Sequence, residues 1–150
     1  MKVNIKNRQR LLKPNQQKVA ILLRKVLRLL GLHKAEISIL FVGDKRMRML
    51  NRRYRGIDRT TDVLSFPQDE YSAPNKGRTP KDIILGDIVI SLQKTSVQAE
   101  ENGLSFHEEL KRLLIHGLLH LIGYDHEINR YQERKMQKKA DELLSSLRDN

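Results

Sequence analysis

The chain has 150 residues, 39% apolar and 31% charged, with a formal net charge of +11. This length predicts one domain, and the share of Leu, Ile and Val is too high for a disordered chain. Cys is absent, which excludes disulfides, thiolate metal sites and Cys nucleophiles; with no Trp and only 5% aromatics, an extended base-stacking platform is not expected.

In chain order, Val3 and Ile5 alternate with polar residues and predict a short edge strand. Pro14 and Asn15 precede a segment in which Val19, Leu22, Leu23, Val26, Leu27 and Leu30 recur at helical spacing, with Gly31 as its stop. Its basic residues fall largely off that stripe, so a core-facing helix with a wet face is expected in preference to a membrane-surface one. Glu36 to Val42 reads as a strand, Gly43-Asp44 as a turn with an N-cap candidate, and KRMRMLNRRYR as a second basic helix. Val63 to Phe66 is a short strand, Gln68 to Asp82 a polar loop, and Ile83 to Ile90 an apolar strand. Ser91 can cap a helix running to Glu101, which Asn102-Gly103 breaks. Long helices follow over about Ser105–Ile122 and Arg130–Leu147. The order predicts an α+β fold, a small mixed β-sheet covered by helices, in one domain over 1–150. The basic N-terminus lacks the apolar core of a signal peptide, and no apolar run approaches the ~20 residues that span a bilayer, so a cytoplasmic protein without a membrane partner is expected.

The charge is unevenly placed. Residues 1–59 hold 17 Lys or Arg and 3 acids, a net +14; residues 60–150 hold 12 bases and 15 acids, a net −3. Such asymmetry suggests a polyanionic partner, a nucleic acid or an anionic membrane surface, beside the plainer role of a solvated face.

Three of the five His fall within HGLLHLIGYDH at 116–126. His116 and His120, four apart on a helix, are stacked one turn apart and can chelate a divalent metal. Gly123 can end the helix with positive φ, letting the chain return His126 to the same point. The spacing matches the metzincin ligand frame, a three-His metal site at a helix C-terminus. The flanking Leu and Ile residues make this helix apolar nearly all round. Two buried imidazoles left unsatisfied would cost ~1–3 kcal/mol each, and a metal satisfies both. Three imidazoles leave a fourth position open, which indicates catalysis; Zn2+ is favoured, one per chain, while Ni2+ and Co2+ accept the same ligands. The metzincin general base is a Glu directly after the first His, and here that position is Gly117. A peptidase therefore lacks its base. Asp125 can orient a ligand His from behind or simply cap the turn. His107 and Glu109 are expected to face solvent or support the fold.

HGLLHLIGYDH at 116–126, TDVLSFP at 61–67 and LGDIVIS at 85–91, with the basic stretch LNRRYRGIDRT before the second block, together resemble the YbeY family of rRNA maturation factors. The resemblance covers essentially the whole chain; one departure is Thr60, where the family commonly has Pro. It implies a single-strand-specific, metal-dependent endoribonuclease acting in rRNA processing, in 16S rRNA 3′-end maturation and ribosome quality control. Single-stranded RNA, rRNA and ribosomal particles are the implied partners. It also implies zinc on His116, His120 and His126, and maps the family's functional Arg onto Arg55. In that frame Arg55, with Arg59 as its alternate, would stabilise phosphorane charge opposite the metal. Arg52, Arg53, Arg55 and Arg59 would grip the RNA backbone without reading sequence. Tyr54 can stack on a base, although helix packing is its commoner role. Ser65 lies in no nucleophile elbow and is expected to line the cleft. The nucleophile is a water or the ribose 2′-OH. The alternatives are a non-catalytic rRNA-binding assembly factor with structural zinc and, less favoured, a metalloprotease.

Overall fold

A computed structural model describes residues 1–68, 83–125, 127 and 129–148. Its elements are β1 (Lys2–Asn7), α1 (Gln16–Leu29), β2 (Ala35–Val42), α2 (Asp44–Arg55), β3 (Val63–Pro67), β4 (Ile83–Ser91), α3 (Leu92–Glu101), α4 (Phe106–Leu121) and α5 (Arg130–Arg148). The α+β expectation holds, and the sheet is mixed. Its strand order is β1-β2-β4-β3, with β1, β2 and β4 parallel and β3 antiparallel to β4. Parallel neighbours need long connections, which α1 supplies between β1 and β2. Most of the polar loop expected over Gln68 to Asp82 lies outside the described residues.

Strand alternation divides the core. Ile37, Ile39 and Phe41 of β2, with Leu85, Ile88 and Ile90 of β4, pack under α1, α4 and α5 in the larger cluster. The opposite face buries Val42, Leu64 and Val89 against Met47 of α2. Alternation along β4 is reset by a bulge, where the register shifts between Glu36 and Ile37 of β2. Gly86 at the bulge has φ +133°, and a Cβ there would stand 2.2 Å from the Phe66 carbonyl oxygen, so only glycine fits. The reset leaves Asp87 and Val89 on the α2 side of the sheet.

The helix signals act largely as the residues suggest. The Asn15 side chain accepts the Lys18 amide at 3.1 Å, and the Ser91 hydroxyl accepts that of Lys94 at 3.2 Å. Ser105 and Glu108 form a reciprocal capping box. Within the Gly43-Asp44 turn it is Gly43 that caps α2, and the Asp44 carboxylate accepts the Ser91 hydroxyl at 2.6 Å and the Thr60 hydroxyl at 3.2 Å. Of the two roles open to Glu109, it takes the supporting one: it is 3% exposed and accepts from Asn102 (3.2 Å) and Arg112 (3.3 Å), tying the α3–α4 turn to the helix. Among the described residues no helix is long and apolar enough to cross a membrane.

Candidate active-site cleft

The C-terminal half of α4 lies against β3 and β4 because Gly117 lets it. A Cβ at position 117 would come within 2.9 Å of Ile88 Cγ2, 3.2 Å of Ile88 Cδ1 and 3.3 Å of Ser65 Oγ. The Ser65 hydroxyl fills part of that space and donates to the Gly117 carbonyl at 3.0 Å. The missing protease base therefore has a packing cause: a glutamate at this position would collide with the sheet.

His116 and His120 stand on the neighbouring face of the same helix, with ring centroids 4.9 Å apart at an interplanar angle of 66°. Both line a cleft of about 510 Å³. Helix α4 then stops as the sequence suggests. Gly123 has φ +104°, its amide donates to the His120 carbonyl at 3.1 Å, and the Tyr124 amide donates to that of Leu119 at 3.0 Å. This is the paired bonding of a Schellman stop. The chain comes back at once, because Asp125 and Glu127 both line the cleft. Asp125 Oδ1 accepts the Glu127 amide at 2.9 Å, so this carboxylate caps the turn. His126 lies outside the described residues, and among those described no three His, Cys, Asp or Glu side chains cluster as a metal site.

The facing wall comes from the end of α2 and the segment leading into β3. Arg55 is the last residue of α2, ended by Gly56 at φ +70°. Buried Asn51 holds the return of the chain by donating to the Arg59 carbonyl at 2.9 Å. Thr61, Asp62, Val63, Leu64 and Ser65 continue the wall. The Thr60 hydroxyl pins this segment to Asp44, a bond that proline could not make, and the Asp62 carbonyl accepts the Ser91 amide at 2.9 Å. Across the cleft Arg55 Nη2 meets Glu127 Oε1 at 3.4 Å. Glu127, 72 residues from Arg55, was not anticipated; no local spacing announces such a pairing.

The cleft thus gathers Arg55, His116, His120 and Asp125 from the anticipated set. Arg52, Arg53 and Arg59 are exposed but do not line it. Arg53 lies over the Tyr54 ring at 5.5 Å, and Tyr54 meets Phe66 edge-to-face at 5.1 Å. Nearby, Arg48 pairs with Asp58 at 2.9 Å; the guanidinium's hydrogen bond holds the Asp58 carboxyl below its usual range.

A family model described as Endoribonuclease YbeY matches residues 4–148. An Endoribonuclease YbeY of Sulfurihydrogenibium sp. is 46% identical over 123 residues, 82% of this chain and 77% of the relative. Another from Thermodesulfovibrio yellowstonii is 36% identical over 97% of each chain. The solution structure of a Thermotoga maritima protein is similar with a TM-score of 0.62 at 26% identity, covering 99% of this chain and 93% of that one. With a match that spans residues 4–148, this chain belongs to the YbeY family.

Proposed function

We propose that this protein is a metal-dependent endoribonuclease that cuts single-stranded RNA, acting in the cytoplasm on rRNA and ribosomal particles, including 16S rRNA 3′-end maturation and ribosome quality control. Its RNA-cutting activity is supported by relatives named Endoribonuclease YbeY. The observation that carries the reading is the cleft that sets a guanidinium, Arg55, across from the imidazole pair His116 and His120.

The donor set fits a metal. Two imidazoles lie one turn apart on a rigid helix, and the residues on both sides of position 126 return to the same cleft. His116, His120 and His126 would hold Zn2+, which supplies a Lewis acid for a phosphate oxygen and acidifies a water. The chain's own groups do the rest. Arg55 presents a planar fork of donors that suits two phosphate oxygens and the charge that grows on them. Its partner Glu127 keeps that fork aimed into the cleft until a phosphate takes its place. Arg52, Arg53 and Arg59, outside the cleft, hold flanking backbone by charge alone. Gly117 leaves no side chain to serve as a peptidase base, and packing against Ile88 admits none.

The test compares cleavage of a single-stranded RNA by wild type, His120→Ala and Arg55→Ala purified in parallel, with metal content measured on each. Wild type should carry about one zinc and cut the RNA, losing both metal and activity to a chelator. His120→Ala should lose metal and activity; Arg55→Ala should keep the metal and lose activity. Equal cleavage by all three would mean a contaminating nuclease.

A further inference from the structure

Strand β3 is outermost on its side of the sheet and, among the described residues, pairs with β4 alone. In an antiparallel pair, alternate residues turn both N–H and C=O to the neighbour, and the residues between turn theirs outward. Two bonds fix which is which. The Ser91 amide donates to the Asp62 carbonyl at 2.9 Å, and the Gln68 amide to the Leu85 carbonyl at 3.1 Å. The register runs unbroken from Val63–Ile90 to Pro67–Gly86, so residues 62, 64, 66 and 68 bond to β4. Val63, Ser65 and Pro67 therefore turn their backbone outward, and proline suits that position because no ladder bond needs its missing N–H.

That outer edge borders the active-site cleft. Consecutive strand residues point to opposite faces, yet every residue from Thr61 to Ser65 lines the cleft, together with Arg55 and His116. A cavity reached from both faces at once lies along the edge. The Val63 amide is taken by Asp62 Oδ1 at 2.7 Å. The Ser65 amide and the Val63 and Ser65 carbonyls have no partner among the described residues. One donor beside two acceptors is a poor seat for phosphate, which brings acceptors, and the neighbouring Asp62 carboxylate repels it. The open stretch is also too short for an added peptide strand, since the Val63 amide is spent and Pro67 has none. An unpaired base fits. Adenine, cytosine, guanine and uracil each set a donor next to an acceptor on the Watson–Crick edge, and a duplex already occupies that edge.

We propose that the outer edge of β3 holds an unpaired base of the bound RNA, the Ser65 amide donating to it and the Val63 or Ser65 carbonyl accepting from it, so that this edge selects single strands without reading sequence. The inference rests on the ribonuclease reading and supplies the groups that recognise the strand in its cleft.

The test separates binding from cleavage. Backbone amide NMR spectra of wild type are followed while a uridine hexamer or its 3-methyluridine counterpart is added, both with 2′-O-methyl phosphorothioate linkages to slow cleavage. The two share charge and sugar, and the methyl group removes only the N3–H donor of each base. The uridine hexamer should move the Ser65 amide proton downfield and bind about tenfold more tightly, the worth of one matched pair of hydrogen bonds. Ser65→Ala drops the bond to Gly117 but keeps the amide, so it should keep that preference. Ser65→Pro removes the amide at an outward position and should lose it; the comparison of the two hexamers on wild type stands even where this variant does not fold. Equal binding of both hexamers would assign the contacts to sugar or phosphate and overturn the inference. So would a Ser65 amide that answers to an extended Thr-Val hexapeptide and to neither hexamer, which would make the edge a peptide site. Unmodified RNA hexamers then test the reading beneath it. Equal binding and equal cleavage of the two would sink the base contact and leave the nuclease; a uridine preference with no cleavage would leave the base contact and sink the nuclease.

Discussion

Gly117→Ala probes the contact that seats the histidine helix on the sheet. An added methyl would lie 2.9 Å from Ile88 Cγ2 and 3.2 Å from Cδ1, inside the ~3.5–4.0 Å of ordinary carbon contact. Ile88 is fully buried and β-branched, so its Cγ2 cannot swing aside. Overpacking of this kind costs about 1–3 kcal/mol. Alanine in place of glycine inside a helix returns about 1 kcal/mol. The net expectation is a loss of about 0–2 kcal/mol, with α4 displaced from β4 and the imidazoles on either side of position 117 carried with it. The sharper expectation is a change of sign. Ile88→Ala alone should cost about 2–5 kcal/mol and opens the space that the methyl needs. In that background Gly117→Ala should stabilise by up to about 1 kcal/mol, because the helix preference is then opposed only by the Ser65 Oγ contact at 3.3 Å. Urea unfolding of wild type, both single variants and the double variant measures the coupling. If Gly117→Ala stabilises in both backgrounds, helix and sheet are not in contact at this point and the packing account of the missing glutamate fails.

Replacing Arg55 by Ala should lower kcat/KM for RNA by about 10²–10³-fold, the usual loss of a donor to transition-state charge. Glu127→Gln should instead lower KM, since the phosphate no longer competes with a carboxylate for that guanidinium; steady-state kinetics at fixed salt distinguishes the two, and an unchanged KM would refute the competition. Ser105→Ala removes the hydroxyl half of the capping box on α4 and should cost about 1 kcal/mol in urea unfolding. His107 titrates below the ordinary histidine range because partial burial, then Lys18 and Lys111, disfavour its charged form, against the opposing pull of Glu108. The unfolded chain then holds that proton more tightly, so the stability His107 contributes is full above pH ~6.5 and is lost as the pH falls through its folded value. His107→Asn should flatten the fall in thermal stability between neutral and mildly acid pH; an identical slope would refute it.

The amino-acid order alone determined what depends on near neighbours. Capping by Asn15, Ser91 and Ser105, the apolar stripe of α1 and the Gly123 stop all rest on bonds spanning a few residues, and each is present in the fold. The His116–His120 pair was equally legible, because helical periodicity alone stacks it. Local pattern left the role of some side chains open. The Gly43-Asp44 turn does not tell that Asp44 serves Ser91, 47 residues away, and the choice for Glu109 between solvent and support of the fold is settled only by its burial against Asn102.

Only tertiary structure brought Arg55 across from the histidines, since that pairing depends on β3 and α4 converging on β4. It chose Arg55 from a run of basic residues by ending α2 at Gly56, and it sent Arg52, Arg53 and Arg59 to the outside. It also gave Gly117 its meaning, as the point where a helix touches a sheet. Spacing along a chain encodes contacts one turn away; which surfaces meet across 50 or 70 residues is decided by the packing of the whole core.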